Sequence, residues 1–459
     1  MASYEEIRQQ HIAVLTGMIP EHLERLNWSR RQIDAERQSR LRELVGVAKE
    51  RSPWHAKRLT HINADTVTEV HLEAIPPMTR DDLMSNWNDI VTDRRLSLEL
   101  VEGHLDSHDN HDYLMDEYTV CASGGSSGRR GVFVYGLKGC ATAYMAGLRH
   151  RIRKQVELAG ESSGTNRLAY LGSHHPAHMA YVFHQIFGFP GIDSLLLLGV
   201  QDPIEEVVCR LNEFKPTHLI GYPTALQLLA REQKEGRLCI SPSHVSASSE
   251  PLFNEIREAL TEVWGVVVLN IWAMTEAGAC GHSIGQAPGL MMNDDLSIIE
   301  AVDSEGRYIP RGMCSNKIFI TNLFNHVLPL IRMEVTDEIT LLVEGDPGGS
   351  GHQMIAEVEG RKDDLFIYND GKHIVHPHVF RSVLGRERSI IEYQVRQTPN
   401  GAQILVVTAA QVGIQELERK IADALTRIGI EKPGIVISHV DKIDRSATGK
   451  LKRFVSLSI

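Results

Sequence analysis

No apolar run in this 459-residue chain is long enough to cross a bilayer; the longest aliphatic stretch, Leu195 to Leu198 with its flanks, falls far short of the roughly 20 residues a spanning helix needs. No membrane partner is expected. The opening residues, Met-Ala-Ser-Tyr-Glu-Glu, also lack the basic and then apolar pattern of an export signal. Paired cysteine motifs are missing: the six cysteines, at 121, 140, 209, 239, 280 and 314, show no CxxC spacing, which argues against a disulfide framework and for reduced thiols in the cytoplasm. Positive charge is the scarcer sign. With 48 Lys and Arg against 59 Asp and Glu the formal net charge is −11, whereas counterion release on a nucleic-acid backbone needs clustered cations. Nucleic acid is therefore not the expected partner. There is no internal repeat and no Walker phosphate loop, because no Gly-Lys-Ser/Thr follows the one Gly/Ser-rich stretch.

What is present is ample apolar content, 42% of residues, on a chain longer than a single core usually supports. Residues 1–60 are charged and helical in period, with Leu23, Leu26, Ile33, Leu41, Leu44 and Val45 forming a broken apolar stripe, and predict a packed helical cap. Pro76 to Leu83 supplies a turn and a helix start with Thr79 as N-cap, a segment expected to carry no chemistry by itself. Strand and helix then alternate: helix 141–158, strand 167–171, strand 194–200, helix 204–214, strand 217–220, helix 224–233. From residue 296 the texture becomes strand-rich, with strands predicted at 296–302, 317–321 and 338–343. A Gly/Pro/Asp break at 344–351 precedes a compact tail. The fold class is α/β: a large N-terminal layered α/β domain at 1–359 with a helical cap at 1–60 and a β-rich subdomain at 296–345, then a small C-terminal α+β domain at 360–459.

The stretch Cys121-Ala-Ser-Gly-Gly-Ser-Ser-Gly-Arg-Arg-Gly131 carries the first chemical signal. Glycines let a backbone approach a ligand closely, successive N–H groups and serine hydroxyls converge on phosphate oxygens, and arginine adds bidentate charge. The residues that follow, Val132 to Tyr135, read as a strand, so the loop belongs to a nucleotide fold other than the Walker type or is a solvated linker.

Five further motifs, in a fixed order across most of the chain, resemble the adenylate-forming superfamily of acyl-CoA synthetases, and within it the phenylacetate-CoA ligase-like branch. Singly, each has a bland rival, such as a helix start at Thr275-Glu276, a turn at Asp337 or a surface lysine at 450; in series they favour the family. The resemblance implies a phosphate loop of Ser123, Gly124, Gly125, Ser126, Ser127 and Gly128, with Arg129 and Arg130 reaching toward the outer phosphates. It implies an acyl-pocket segment, Phe214 to Pro223, in which Tyr222 meets the substrate, and an adenine turn at Ser249 and Glu250. Asn270-Ile-Trp-Ala-Met-Thr-Glu276 resembles the family's central signature: Asn270, Ile271 and Trp272 meet adenine, Ala273 borders the acid, Thr275 meets the α-phosphate and Glu276 holds magnesium. Asp337 becomes the ribose residue and Arg361 a nucleotide contact. Asp363 becomes the hinge residue of a mobile small domain swinging at 361–364, and Lys450 the lysine bridging carboxylate and α-phosphate.

The chain departs from the pattern in places. Trp-Ala replaces the usual Tyr-Gly, and Arg-Arg-Gly ends the loop where relatives carry proline. His174 and His175 lie where relatives gate the acyl pocket, although loop histidines are also commonly solvated. No zinc is expected, because Cys280 and His282 are too close together and no further cysteine motif precedes the hinge. The resemblance implies an ATP- and Mg²⁺-dependent acid–thiol ligase: a small-molecule carboxylic acid, aryl or arylacetic, becomes an acyl-AMP and passes to coenzyme A. A carrier-protein phosphopantetheine or an amine is the alternative acceptor, and a nucleotide-binding homologue without turnover the alternative class. A homodimer is allowed for.

Overall fold

The computed structural model describes the chain except residues 1–2, 108–112, 124–129, 158–164, 175, 201, 251, 253, 286, 357, 359–365, 369–372, 376–377, 388, 409, 445–453 and 458–459. The N-terminal stripe forms α1 (Tyr4–Arg25), α2 (Arg30–Arg51) and α3 (Pro53–Arg58). Short helices α4 (Arg80–Ser85), α5 (Trp87–Ile90) and α6 (Leu98–Asp106) lead to a hairpin of β1 (Tyr118–Ala122) and β2 (Val132–Gly136). Thr79 caps α4 as its sequence predicts, its hydroxyl accepting the Asp82 N–H at 3.1 Å.

The long α7 (Leu137–Glu157) opens the alternating region: β3 (Arg167–Gly172), α8 (Met179–Phe187), β4 (Ser194–Gly199), α9 (Ile204–Phe214), β5 (His218–Gly221), α10 (Pro223–Lys234), β6 (His244–Ser248), α11 (Asn254–Trp264) and β7 (Val268–Met274). Then come β8 (Gly278–Ser283), β9 (Leu290–Met292), β10 (Ser297–Val302), β11 (Lys317–Asn322), β12 (Met333–Val335) and β13 (Met354–Ile355). The main sheet has the order β13-β9-β8-β7-β6-β5-β3-β4, parallel from β7 to β4 and antiparallel from β7 to β13. Strands β10, β11 and β12 form a separate antiparallel sheet, as the strand-rich texture predicts.

Parallel strands covered on both faces usually read as unbroken apolar runs. Here one face alone does. Ala169, Leu171, Leu219, Val245, Ala247 and Val268 pack against α9, α10 and α11. The other face looks toward α7 and α8, which join a second core with α1, β1 and β2. A third core holds only residues from Phe366 to Phe454, built on β14 (Phe366–Tyr368), β15 (His373–Val375), α12 (His378–Leu384), β16 (Ile390–Thr398), β17 (Gly401–Thr408), α13 (Ile414–Arg427), β18 (Gly434–His439) and β19 (Phe454–Val455). The strand expected at 338–343 is a correction. Thr340 bridges Cys314 and Leu341 bridges Ile355, one pair each, so the segment passes between two partners and no ladder propagates.

Candidate active site

Side chains on a strand alternate between faces. On β5, His218 and Ile220 point opposite to Leu219; on β6, His244, Ser246 and Ser248 oppose Val245 and Ala247; on β7, Leu269 and Ile271, which pair with Ser246 and Ser248, share that face, as does Tyr170 on β3. Together with α7 and α8 these residues wall a cavity of 1160 Å³.

One end of the cavity is built by the β1–β2 hairpin. Ser123 N–H donates to the Gly131 carbonyl at 2.9 Å and Gly131 N–H donates back to Ser123 Oγ at 3.0 Å, which closes the base of the Gly/Ser loop. A Cβ at Gly131 would stand 2.8 Å from Nη1 of Arg80 and 2.8 Å from the Phe133 ring, so a side chain there would displace one of them. Arg80, the first residue of α4, donates to Ser123 Oγ and to a carboxylate oxygen of Glu276. Glu276 is 4% exposed and sits in the β7–β8 turn, which is fixed on both sides: Tyr135 Oη donates to the Thr275 carbonyl at 2.6 Å and Asn322 Nδ2 to the Glu276 carbonyl at 2.8 Å. Gly278 closes the turn at φ +67°, where a side chain would meet the Ala143 carbonyl on α7 at 2.8 Å.

Beside that turn, the indole N–H of Trp272 donates to Asp337 at 2.8 Å, joining the two residues expected to meet adenine and ribose. The cross-strand partner of Trp272 is Gly281, where a Cβ would stand 3.5 Å from the ring, an ordinary contact distance. Asn270 N–H is held by Ser283 Oγ at 2.9 Å, and Ser249 turns the chain after β6 at φ +72°.

The other end of the cavity is aromatic and basic. Tyr144, His150, Arg151 and Lys154 line it from α7, and Phe183 and His184 from α8. His184 lies edge-on to Tyr170 at 4.2 Å, and His218 stacks on His244 at 4.4 Å with the rings 3° apart. His282 binds the Ala146 carbonyl at 2.9 Å, and its ring stands 4.6 Å from His150. Burial first, and then the charge of neighbouring His and Arg groups, lowers His184 to about 3 and His218 and His282 to about 4, so these rings are neutral near pH 7.

Of the residues expected from sequence, Ser123, Ser249, Glu250, Asn270, Ile271, Trp272, Ala273, Thr275, Glu276 and Asp337 all line this one cavity. Tyr222 does not line it; its hydroxyl lies 3.4 Å from Nε2 of His178, which does. His174 packs near Tyr181, ring centres 5.6 Å apart, and Arg130 lies 4.0 Å from Asp106, both away from the lining. Gly124, Gly125, Ser126, Ser127, Gly128, Arg129, His175, Arg361, Asp363 and Lys450 lie outside the described residues. The expectation that the Pro76–Leu83 segment carries no chemistry is corrected: a capped helix start there delivers Arg80 to Ser123 and Glu276. The basic end was also missed, although His218 on β5 and His244, Ser246 and Ser248 at alternate positions of β6 mark it.

Among the described residues no group of three or more His, Cys, Asp or Glu is placed to hold a metal ion. Magnesium, however, commonly takes only one or two carboxylates and completes its shell with water and substrate phosphates. Glu276 beside the phosphate-loop base fits that donor set.

No protein-family model matches the chain. The chain is 18% identical over 368 residues to Protein CapK of Staphylococcus aureus, covering 78% of this chain and 74% of that protein. Its structure is similar to 2-hydroxyisobutyryl-CoA ligase in the thioesterification state with 2-HIB-AMP and CoA, at TM-score 0.60 and 16% identity over 93% of this chain and 90% of the ligase. The same ligase in its postadenylation state gives TM-score 0.58 at 15% identity, over 94% of this chain and 91% of the ligase. The fold of this chain is that of the adenylate-forming acyl-CoA ligases.

Proposed function

We propose that the protein activates a carboxylic acid with ATP and transfers the acyl group to a thiol, coenzyme A being the expected acceptor. A carboxylate oxygen attacks the α-phosphorus, the bond to pyrophosphate breaks, and an acyl-AMP remains. The thiol sulfur then attacks the acyl carbon, its proton leaves to solvent, and AMP departs. The observation that carries this reading is convergence: residues from four motifs spread over more than two hundred positions line one cavity, Ser123 at the start of the Gly/Ser stretch among them.

In this reading Asn270 and Trp272 meet the base, Asp337 accepts the ribose hydroxyls, and Thr275 and the Gly/Ser loop hold phosphate oxygens. Glu276 would hold magnesium, which would supply charge neutralisation for the phosphates. Arg80 balances the Glu276 carboxylate from the protein side. Lys450 is assigned to the meeting of the two anions, and Asp363 to the swing that brings the small domain round for the second step. The aromatic rings of Tyr144, Tyr170 and Phe183 suit an acid with an apolar body, aryl or otherwise, as in the phenylacetate-CoA ligase-like branch. Pyrophosphate release from MgATP with a panel of acids, with and without coenzyme A, tests the assignment. Release that depends on one class of acid is expected, with consumption of thiol when coenzyme A is present; tight ATP binding without release for every acid would overturn it.

A further inference from the structure

The basic end of the cavity contains a group that the activation chemistry does not use. All three guanidinium nitrogens of Arg151 are buried and meet no hydrogen-bond acceptor, and Arg151 forms no ion pair among the described residues. Its one packing partner of note is the ring of Phe189, 5.6 Å from the guanidinium carbon. An unpaired charge kept from water costs several kcal/mol unless something completes it. Lys154 adds a second cation one turn further along α7. The nearby histidines cannot supply negative charge, and the carboxylate at that end, Glu157, is bonded to Arg153 at 2.8 Å.

We propose that Arg151, supported by Lys154, binds a second anionic group on the acid, so that the substrate is an apolar body with an anion at each end. The inference rests on the acid-activation reading and narrows its substrate. Geometry sets the spacing. The Thr275–Glu276 turn abuts α7 at Ala143, and Arg151 is two turns on, about 12 Å of rise, part of which the side chain recovers because helical side chains lean toward the N-terminus. The two anions are thus separated by several bonds, as in adipate, suberate or 4-carboxyphenylacetate, and a very short diacid would not span them. The rings of Tyr144, Tyr170 and Phe183 flank the stretch between.

The test compares suberate, adipate and 4-carboxyphenylacetate with octanoate, hexanoate and phenylacetate, and with 6-phosphonohexanoate to tell a carboxylate from a phosphonate preference. Two readouts are used: pyrophosphate release, and the shift each acid produces in the melting temperature without ATP. Wild type should prefer the dianionic acids and be stabilised by them. Arg151→Met should lose on the order of tenfold or more in kcat/KM for them, keep or improve activity with the monoacids, and show no melting shift with suberate. Arg151→Lys should recover part of the preference. Without ligand, Arg151→Met should melt higher than wild type, because it removes an unpaired buried charge; a purely structural arginine would give the opposite sign. Monoacid turnover with no dianion preference, or equal preference in wild type and Arg151→Met, overturns the subsite and leaves acid activation standing. An Arg151-dependent melting shift with suberate but no pyrophosphate release with any acid keeps the subsite and overturns activation.

Discussion

Trp272→Phe probes how the base and ribose ends of the nucleotide site are coupled. The substitution keeps an aromatic face on the cavity wall and removes one polar group, the N–H that Asp337 accepts at 2.8 Å. A hydrogen bond to an ionised acceptor contributes about 1.5–3 kcal/mol, and because this one is only part-buried, water replaces some of it and the lower figure applies. If Asp337 must present its carboxylate to ribose, the KM for ATP rises by about tenfold, and the KM for the acid stays unchanged. Trp272→Ala also removes the ring, whose burial contributes roughly 1.5–3 kcal/mol more. The pair of variants separates the bond from the face.

The assay is the initial rate of pyrophosphate release against ATP at saturating acid, backed by calorimetric titration of ATP. A cycle with Asp337→Asn makes the reasoning refutable. Groups in direct contact are non-additive, so the loss from Asp337→Asn should be smaller by about 1 kcal/mol or more when Trp272→Phe is already present than in wild type. Strictly additive losses, or a wild-type KM for ATP in Trp272→Phe, would mean that the indole does not position Asp337.

Arg149→Met should destabilise the protein by about 3 kcal/mol in urea unfolding, because it removes the main partner of buried Asp295, paired with it at 2.7 Å, and leaves that carboxylate only Arg25 at 3.5 Å; Arg149→Met with Asp295→Leu should recover much of the loss, and equal damage in the double variant would refute the pairing argument. Stability should fall as pH drops below 6.5, since burial holds His55 and His184 near 3 and His282 near 4 in the folded chain while the unfolded chain takes up protons at 6.5. At pH 5 each costs about 2 kcal/mol, and a urea midpoint that does not move between pH 7 and 5 would contradict neutral burial. Arg80→Met should lower the Mg²⁺ concentration for half-maximal pyrophosphate release by freeing the Glu276 carboxylate, and Glu276→Gln should raise it; identical Mg²⁺ dependence in both would detach the pair from the metal.

Much of this was legible because the relevant signals are local. α9 occupies the predicted 204–214, and the Gly/Ser loop lies between two strands, because turn residues and apolar periods act over a few residues. Motif order predicted which distant segments would share a wall, and Ser123, Asn270, Trp272, Glu276 and Asp337 do share one. What escaped reading depends on tertiary placement. Gly278-Ala-Cys-Gly-His-Ser283 has no β-branched residue, so β8 forms from burial between β7 and β9 and not from propensity. Arg80 looks like an ordinary first-turn residue, and only the packing of α4 against the hairpin shows that its side chain reaches a segment nearly two hundred positions away. His218 falls within the predicted strand 217–220, but which face of the sheet it occupies shows only once the neighbouring strands are in place.

The basic end persists because the opposite side of α7 is fastened. Arg149 donates to both carboxylate oxygens of Asp295, at 2.9 and 2.7 Å, and to Asn293 Oδ1 at 3.0 and 2.5 Å. Asn293 in turn binds the carbonyls of Ala146 and Ala279 at 3.0 and 2.8 Å, so helix and strand are tied at the same level. Positions 149 and 151 are about 200° apart around a helix, and neither can turn without the other. Fixing Arg149 therefore fixes Arg151 on the cavity side, where a free helix would roll until the guanidinium found water. The unfavourable burial of one arginine is sustained by the favourable burial of its neighbour. This is the arrangement expected where a binding group is held ready at a cost to stability. It also predicts a sign contrast on one helical turn: the same change to methionine weakens the fold at 149 and strengthens it at 151.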